Sequence, residues 1–190
     1  MKKLIVFMLL FCAKILNAQS FYIGGGGGGA FYNFRQVPYF NTGGVPLDFT
    51  CQAMFKGDLL GVDIDIMLEP VTPFLKISDA TGIPPVGGYI VSVNGLLNSY
   101  YYSNDFILRP KFGGFYTDYL GVLTPFYDWG PTVGVFAGYK VGKDTFLGLD
   151  LTGMFGVNNY FVATGSYYDP HGYTRINYYN ALIKMIYNMQ

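Results

Sequence analysis

From Leu60 to Glu69 the chain alternates without a slip. Leu60, Val62, Ile64, Ile66 and Leu68 fall on one face, and Gly61, Asp63, Asp65, Met67 and Glu69 on the other. A period of two defines a strand with one greasy face, and no helix buries such a pattern sensibly. The pattern recurs three times. Val133, Val135, Ala137, Tyr139 and Val141 alternate with Thr132, Gly134, Phe136, Gly138 and Lys140. Leu147, Leu149, Leu151, Phe155 and Val157 alternate with Gly148, Asp150, Thr152, Met154 and Gly156. Tyr179, Ala181, Ile183, Met185, Tyr187 and Met189 alternate with Tyr178, Asn180, Leu182, Lys184, Ile186 and Asn188. One such segment is a weak signal; four in one chain are a strong one.

Composition says where such strands can live. Aromatic residues make up 19% of the chain and charged residues only 13%, about half the usual soluble share of ~25%. Beyond the first residues no apolar run approaches the length of a spanning helix. In lipid an open sheet edge is forbidden, so one-sided apolar strands must close on themselves. The expectation is an all-β fold, a closed antiparallel up-and-down transmembrane barrel of eight strands.

Residues 1–18 read as an export signal: Lys2 and Lys3, then an apolar run from Leu4 to Ala13, then Ala18 before a cleavage site. A run this short is a signal core and not a spanning helix, which needs about 20 residues. Cys12 follows Phe11, where a lipid-attachment motif wants a small residue, so lipidation is not expected. Residues 19–190 then form the barrel domain. Loss of Lys2, Lys3 and Lys14 leaves nine basic against twelve acidic residues, a net charge of −3. That is no footprint for nucleic acid. One cysteine, Cys51, remains in this part and cannot make an intrachain disulfide.

The remaining segments are less regular. Residues 21–34 carry Gly24 to Gly29, 87–97 place Tyr89, Val91, Val93 and Leu97 outward, and 104–117 place Ile107, Arg109, Lys111 and Gly113 inward. A bulge or break is expected at Pro110, which cannot donate to a ladder. With a short strand at 74–78, the connections become 35–57, 70–73, 79–86, 98–103, 118–130, 142–144 and 158–174. Long and short ones alternate, as they do between the outer and periplasmic ends of a bacterial barrel.

With these strands, this asymmetry and the opening Phe21-Tyr22-Ile23-Gly24-Gly25, the mature chain resembles the small eight-stranded outer-membrane barrels of the OmpX and OmpA transmembrane-domain type. Leu16-Asn17-Ala18-Gln19 is similar to the signal ends of generic Bacteroidetes outer-membrane barrels. It departs from many of them in ending Tyr187-Asn188-Met189-Gln190 rather than on Phe. The resemblance implies location and fold, not activity.

Three constellations invite a chemical reading. Asp63, Asp65, Glu69, Arg109, Lys111, Lys140, Asp150 and Lys184 all face inward, four acids and four bases. In a barrel just wide enough for side chains they read as a neutral salt-bridged filling rather than an ion path. Asp150 and Lys184 sit at similar heights on adjacent strands and are expected to pair. Ser166, Asp169 and His171 share one loop, but a triad needs enforced geometry that a flexible loop does not supply. One histidine also argues against a metal site, and no cofactor is expected. Tyr139, Tyr179 and Tyr187 suit the interfacial girdle. Tyr160, Tyr167, Tyr168, His171 and Tyr173 form a candidate contact surface.

The reading that results is a non-catalytic outer-membrane barrel with a filled lumen, structural or interactive through its loops. Its expected partners are outer-membrane lipid including lipopolysaccharide, the barrel-assembly machinery, and an extracellular ligand at 35–57 and 158–174. A rim-active enzyme on lipid A or peptide is the alternative, and a narrow solute pore the second.

Overall fold

The computed structural model describes residues 20–34, 42–55, 59–70, 87–101, 105–120, 126–158, 160–162 and 172–189. Eight long strands form the wall: β1 (Ser20–Phe34), β2 (Leu47–Phe55), β3 (Leu60–Pro70), β4 (Gly87–Leu97), β5 (Phe106–Leu120), β6 (Phe126–Lys140), β7 (Thr145–Phe155) and β8 (Ile176–Asn188). Each pairs antiparallel with the next, and β8 returns to β1, so the sheet is closed. Among the described residues there is no helix.

The register fixes the shape. Stepping from partner to partner once round the wall leads from Tyr22 through Gln52, Asp63, Asn94, Gly113, Thr132, Met154 and Tyr178 back to Tyr32 on β1. The walk ends ten residues along the strand, from 22 to 32. At ~3.3 Å per residue and ~4.7 Å between eight strands, that stagger tilts each strand by about 40°. The barrel is therefore narrow, with an interior that side chains can fill.

One strand differs from expectation. β2 runs through residues read above as part of the 35–57 loop and is one of the eight wall strands, while the short strand expected at 74–78 lies outside the described residues. Its alternation is real: Leu47 and Phe49 are exposed while Asp48, Thr50 and Gln52 are buried. In consequence Pro70 ends a strand at the same end of the barrel as the 35–46 connection, and no turn of the opposite end falls there. β5 reaches Leu120 and β6 begins at Phe126, so the 118–130 connection shrinks to 121–125. It is then shorter than the 98–105 connection, and the expected alternation of lengths fails at that point.

At Pro110 the β5–β6 register is continuous. On the other side the β4 ladder stops at Leu96↔Lys111, and pairing resumes only at Ser99↔Leu108. The register is the same on both sides of the gap, so Asn98 stays inward in line with Ser92, Asn94 and Leu96, and its N–H bonds Leu59 O at 2.9 Å. Connections 35–46, 71–86, 121–125 and 156–175 share one end, called the loop end here. Connections 56–59, 98–105 and 141–144 share the other, the turn end, with the start of β1 and the end of β8. Within 156–175 a ribbon pairs Tyr160–Val162 with Gly172–Thr174.

Candidate functional site: a filled lumen inside an apolar belt

Inward side chains form three layers along the barrel axis. The middle layer is ionic. Lys111 Nζ lies 2.8 Å from both Asp65 and Asp150 and 3.5 Å from Asp63. Lys184 Nζ lies 2.7 Å from Asp48, 2.7 Å from Asp65 and 2.6 Å from Asp150. Thr50 donates to Asp63 and Thr152 to Asp150, each at 2.8 Å. All six charged groups are buried. Burying ions costs several kcal/mol each, which close pairing and these added hydrogen bonds offset.

The composition of this layer departs from the neutral set expected. Four carboxylates surround two ammonium groups, because Asp48 joins from β2. Lys140 stands half-exposed at the last pair of β6, opposite Phe146, outside the buried cluster. Arg109 is fully buried but meets no carboxylate within ion-pair distance among the described residues. Its Nε donates to Asn98 Oδ1 at 2.9 Å, its Nη1 donates to Gln52 Oε1, and its guanidinium covers the Tyr22 ring at 4.2 Å. Glu69 is the penultimate residue of β3, at the loop end opposite Gly88. Asp48, Gln52 and Asn98 were missing from the expected set. Alternation signals all three: that of 47–55 for Asp48 and Gln52, and that of 87–97 carried one residue further for Asn98.

Towards the turn end the lumen is filled by an apolar floor of Tyr22, Met54, Leu96, Ile107, Phe136, Phe146 and Ile186. Towards the loop end the filling is mixed. Thr132 donates to Asn94 Oδ1, Asn180 donates to Met67 Sδ at 3.1 Å, and Phe115 meets Tyr178 edge-on at 5.4 Å. Asp128 accepts backbone N–H bonds from Trp129 at 2.8 Å and Asn158 at 3.1 Å, tying β6 to the segment after β7.

Inward glycines make room for this filling. A Cβ on Gly26 would stand 2.2 Å from Ile183 O and 2.8 Å from Lys184 Cγ. The bare backbone of β1 thus clears the path of the Lys184 stem into the lumen.

Outside, the wall is an apolar belt that includes Leu68, Val93, Phe112, Val133, Leu149 and Ile183. Aromatic side chains bound it. Tyr139 and Tyr187 are exposed near the turn end. Tyr179 is exposed near the loop end, with Tyr116, Tyr127 and Trp129. Tyr116 and Tyr127 stack at 6.5 Å. The sequence pattern assigns Tyr116, Tyr127 and Trp129 to neither girdle, since Tyr127 and Trp129 fall in its 118–130 connection. Among the candidate contact residues, the backbones of Tyr160 and Tyr173 belong to the ribbon in 156–175. Tyr167, Tyr168 and His171 lie outside the described residues, as do Ser166, Asp169 and residues 1–18, read above as an export signal.

The barrel is similar to several solved structures. The outer membrane protein OprG from Pseudomonas aeruginosa shares 15% identity over 92% of this chain and 97% of its own, with a TM-score of 0.55. Neisserial surface protein A (NspA) shares 8% over 88% and 96%, with a TM-score of 0.54. The N-terminal β-barrel domain of Pseudomonas aeruginosa OprF shares 8% over 90% and 98%, with a TM-score of 0.53. At such identities the likeness is one of fold: the chain has the architecture of the small eight-stranded outer-membrane barrels. No protein-family model matches the chain, and no curated protein does.

Proposed function

We propose that this chain is a bacterial outer-membrane barrel, exported through a cleaved signal at residues 1–18, that neither catalyses a reaction nor conducts solute. It acts as an envelope component that meets lipopolysaccharide along its belt and an extracellular ligand at its loop end. The observation that carries this reading is that side chains fill the lumen at two levels, the cluster of Lys111 and Lys184 with four aspartates and the apolar floor below it. A wall with a wholly apolar middle and aromatic rims supports placement in a bilayer. The likeness to outer-membrane barrels supports which bilayer that is. Insertion there would engage the barrel-assembly machinery.

The test is a planar-bilayer measurement on the purified mature chain, run beside a lipid A mass profile of a deletion strain. No steady conductance and an unchanged profile are expected. A constant ion current would replace this reading with a pore, and a lost lipid A species would replace it with a rim enzyme.

A further inference from the structure

The ionic layer of the lumen does not balance. Asp48, Asp63, Asp65 and Asp150 bring four negative charges and Lys111 and Lys184 two positive ones, a sum of −2. Arg109, bonded to Gln52 in the next layer, reduces that to −1. None of these seven side chains belongs to a residue more than 3% exposed. A charge left over at that depth is strongly disfavoured, and buried groups escape it by changing their protonation state. Each ammonium group already stands between three of the carboxylates, so the balancing charge has to be as small as a proton.

The distances single out Asp63. Lys184 lies within 2.7 Å of Asp48, Asp65 and Asp150, and Lys111 lies 2.8 Å from Asp65 and Asp150. The nearest cation to Asp63 is Lys111, 3.5 Å from its Oδ2. Thr50 donates to Oδ1 at 2.8 Å, but Oδ2 receives no hydrogen bond although Asp63 is wholly buried. The adjoining strands bring Asp63 no positive charge. Gln52 of β2 and Asn94 of β4 pair with it in register and are neutral, Lys184 of β8 stands beyond ion-pair distance, and Asp48 of β2 and Asp150 of β7 add only negative charge. Asp48, the other carboxyl without a hydrogen bond, has Lys184 2.7 Å away. On its own strand Asp63 meets Asp65, carboxyl to carboxyl in hydrogen-bond contact. Two carboxyl groups make that contact only with a proton between them.

We propose that the lumen carries one bound proton, held on Asp63 Oδ2 and donated to Asp65, and that this proton is the removable part of the lock. While it stays, the filling is neutral once Arg109 is counted. When alkali removes it, a carboxylate with no cation of its own is left in the wall and the filling loosens. The inference needs only the closed register of the barrel and stands apart from the choice of membrane.

The experiment is infrared spectroscopy of the purified mature chain in detergent at neutral pH, paired with urea unfolding across pH. The wild type should show the C=O band of a protonated carboxylic acid, shifted in deuterium oxide, and Asp63→Asn should lose it. The folded barrel keeps a proton that an unfolded carboxyl releases near ~pH 4, so its stabilisation is whole in acid and drains away as pH rises. From about pH 5 to about pH 7 the unfolding constant of the wild type should rise between roughly tenfold and a hundredfold relative to that of Asp63→Asn. A wild type without the acid band, a band undiminished in Asp63→Asn, or parallel pH dependences would each overturn the proposal. So would failure of Asp63→Asn to fold, because asparagine keeps the shape, the neutrality and the donor that the proposal gives this side chain.

Discussion

Asp48 and Lys184 meet 2.7 Å apart across a strand that carries no side chain at their level: both pair in register with Gly26. The contact crosses the seam where the first and last strands close the barrel. Asp48 has no other charged neighbour within ion-pair distance among the described residues. Lys184→Met should therefore leave it buried and unpaired, at a cost of about 3–5 kcal/mol. Asp48→Asn combined with Lys184→Met should recover part of that loss. Urea unfolding of the four proteins in lipid vesicles gives the cycle, and additive losses would sink the pairing.

Two glycines on β1 should respond oppositely to the same methyl group. At Gly26 it collides with Ile183 O, which is backbone and cannot step aside, so Gly26→Ala should cost about 1–3 kcal/mol. At Gly29 it enters open space, and Gly29→Ala should stay within ~0.5 kcal/mol of the wild type. Comparable losses at both sites would contradict the close approach of β1 to β8.

Ile183 is 64% exposed and lies between Tyr179 and Tyr187 on the outer face of β8. Those two tyrosines, eight residues apart on a strand tilted by about 40°, span roughly 20 Å of the ~25 Å apolar band. Ile183→Arg should cost about 2–4 kcal/mol in a bilayer. An unchanged folding free energy would show that this face is not in hydrocarbon.

Lys143 is exposed in the 141–144 connection at the turn end. In a Cys51→Ser background, Lys143→Cys should stay unlabelled by an impermeant maleimide on intact cells and react once the outer membrane is permeabilised. Labelling on intact cells would invert the orientation.

Much of the wall could be read from residue order alone. β3, β7 and β8 alternate cleanly, and a period of two assigns each side chain to a face without knowledge of its neighbours. β2 escaped because its alternation is short and blurred at its end, where Ala53 and Met54 are both apolar and both buried. It is also preceded by Gly43, Gly44 and Pro46, which look like loop. Asp48 was lost with it. The partners inside the lumen depend on something that no local pattern holds. They follow from the stagger on closure and from a glycine strand over which Lys184 can reach. Parity could put Asp150 and Lys184 in the interior, but only the closed register brings Asp48 and Asp65 to the same ammonium group.

The apolar floor at the turn end means that the two obstructions fail for unlike reasons. Charges are locked in one by pairing, whereas water is unstable in the other because its walls, the Tyr22 hydroxyl apart, are hydrocarbon. Neutralising Lys111 and Lys184 would unlock the first and leave a dry neck from Tyr22 to Ile186. Wetting that neck with polar substitutions would leave the lock. Converting this protein into a conductor therefore takes two changes of opposite chemistry, and neither alone should pass an ion.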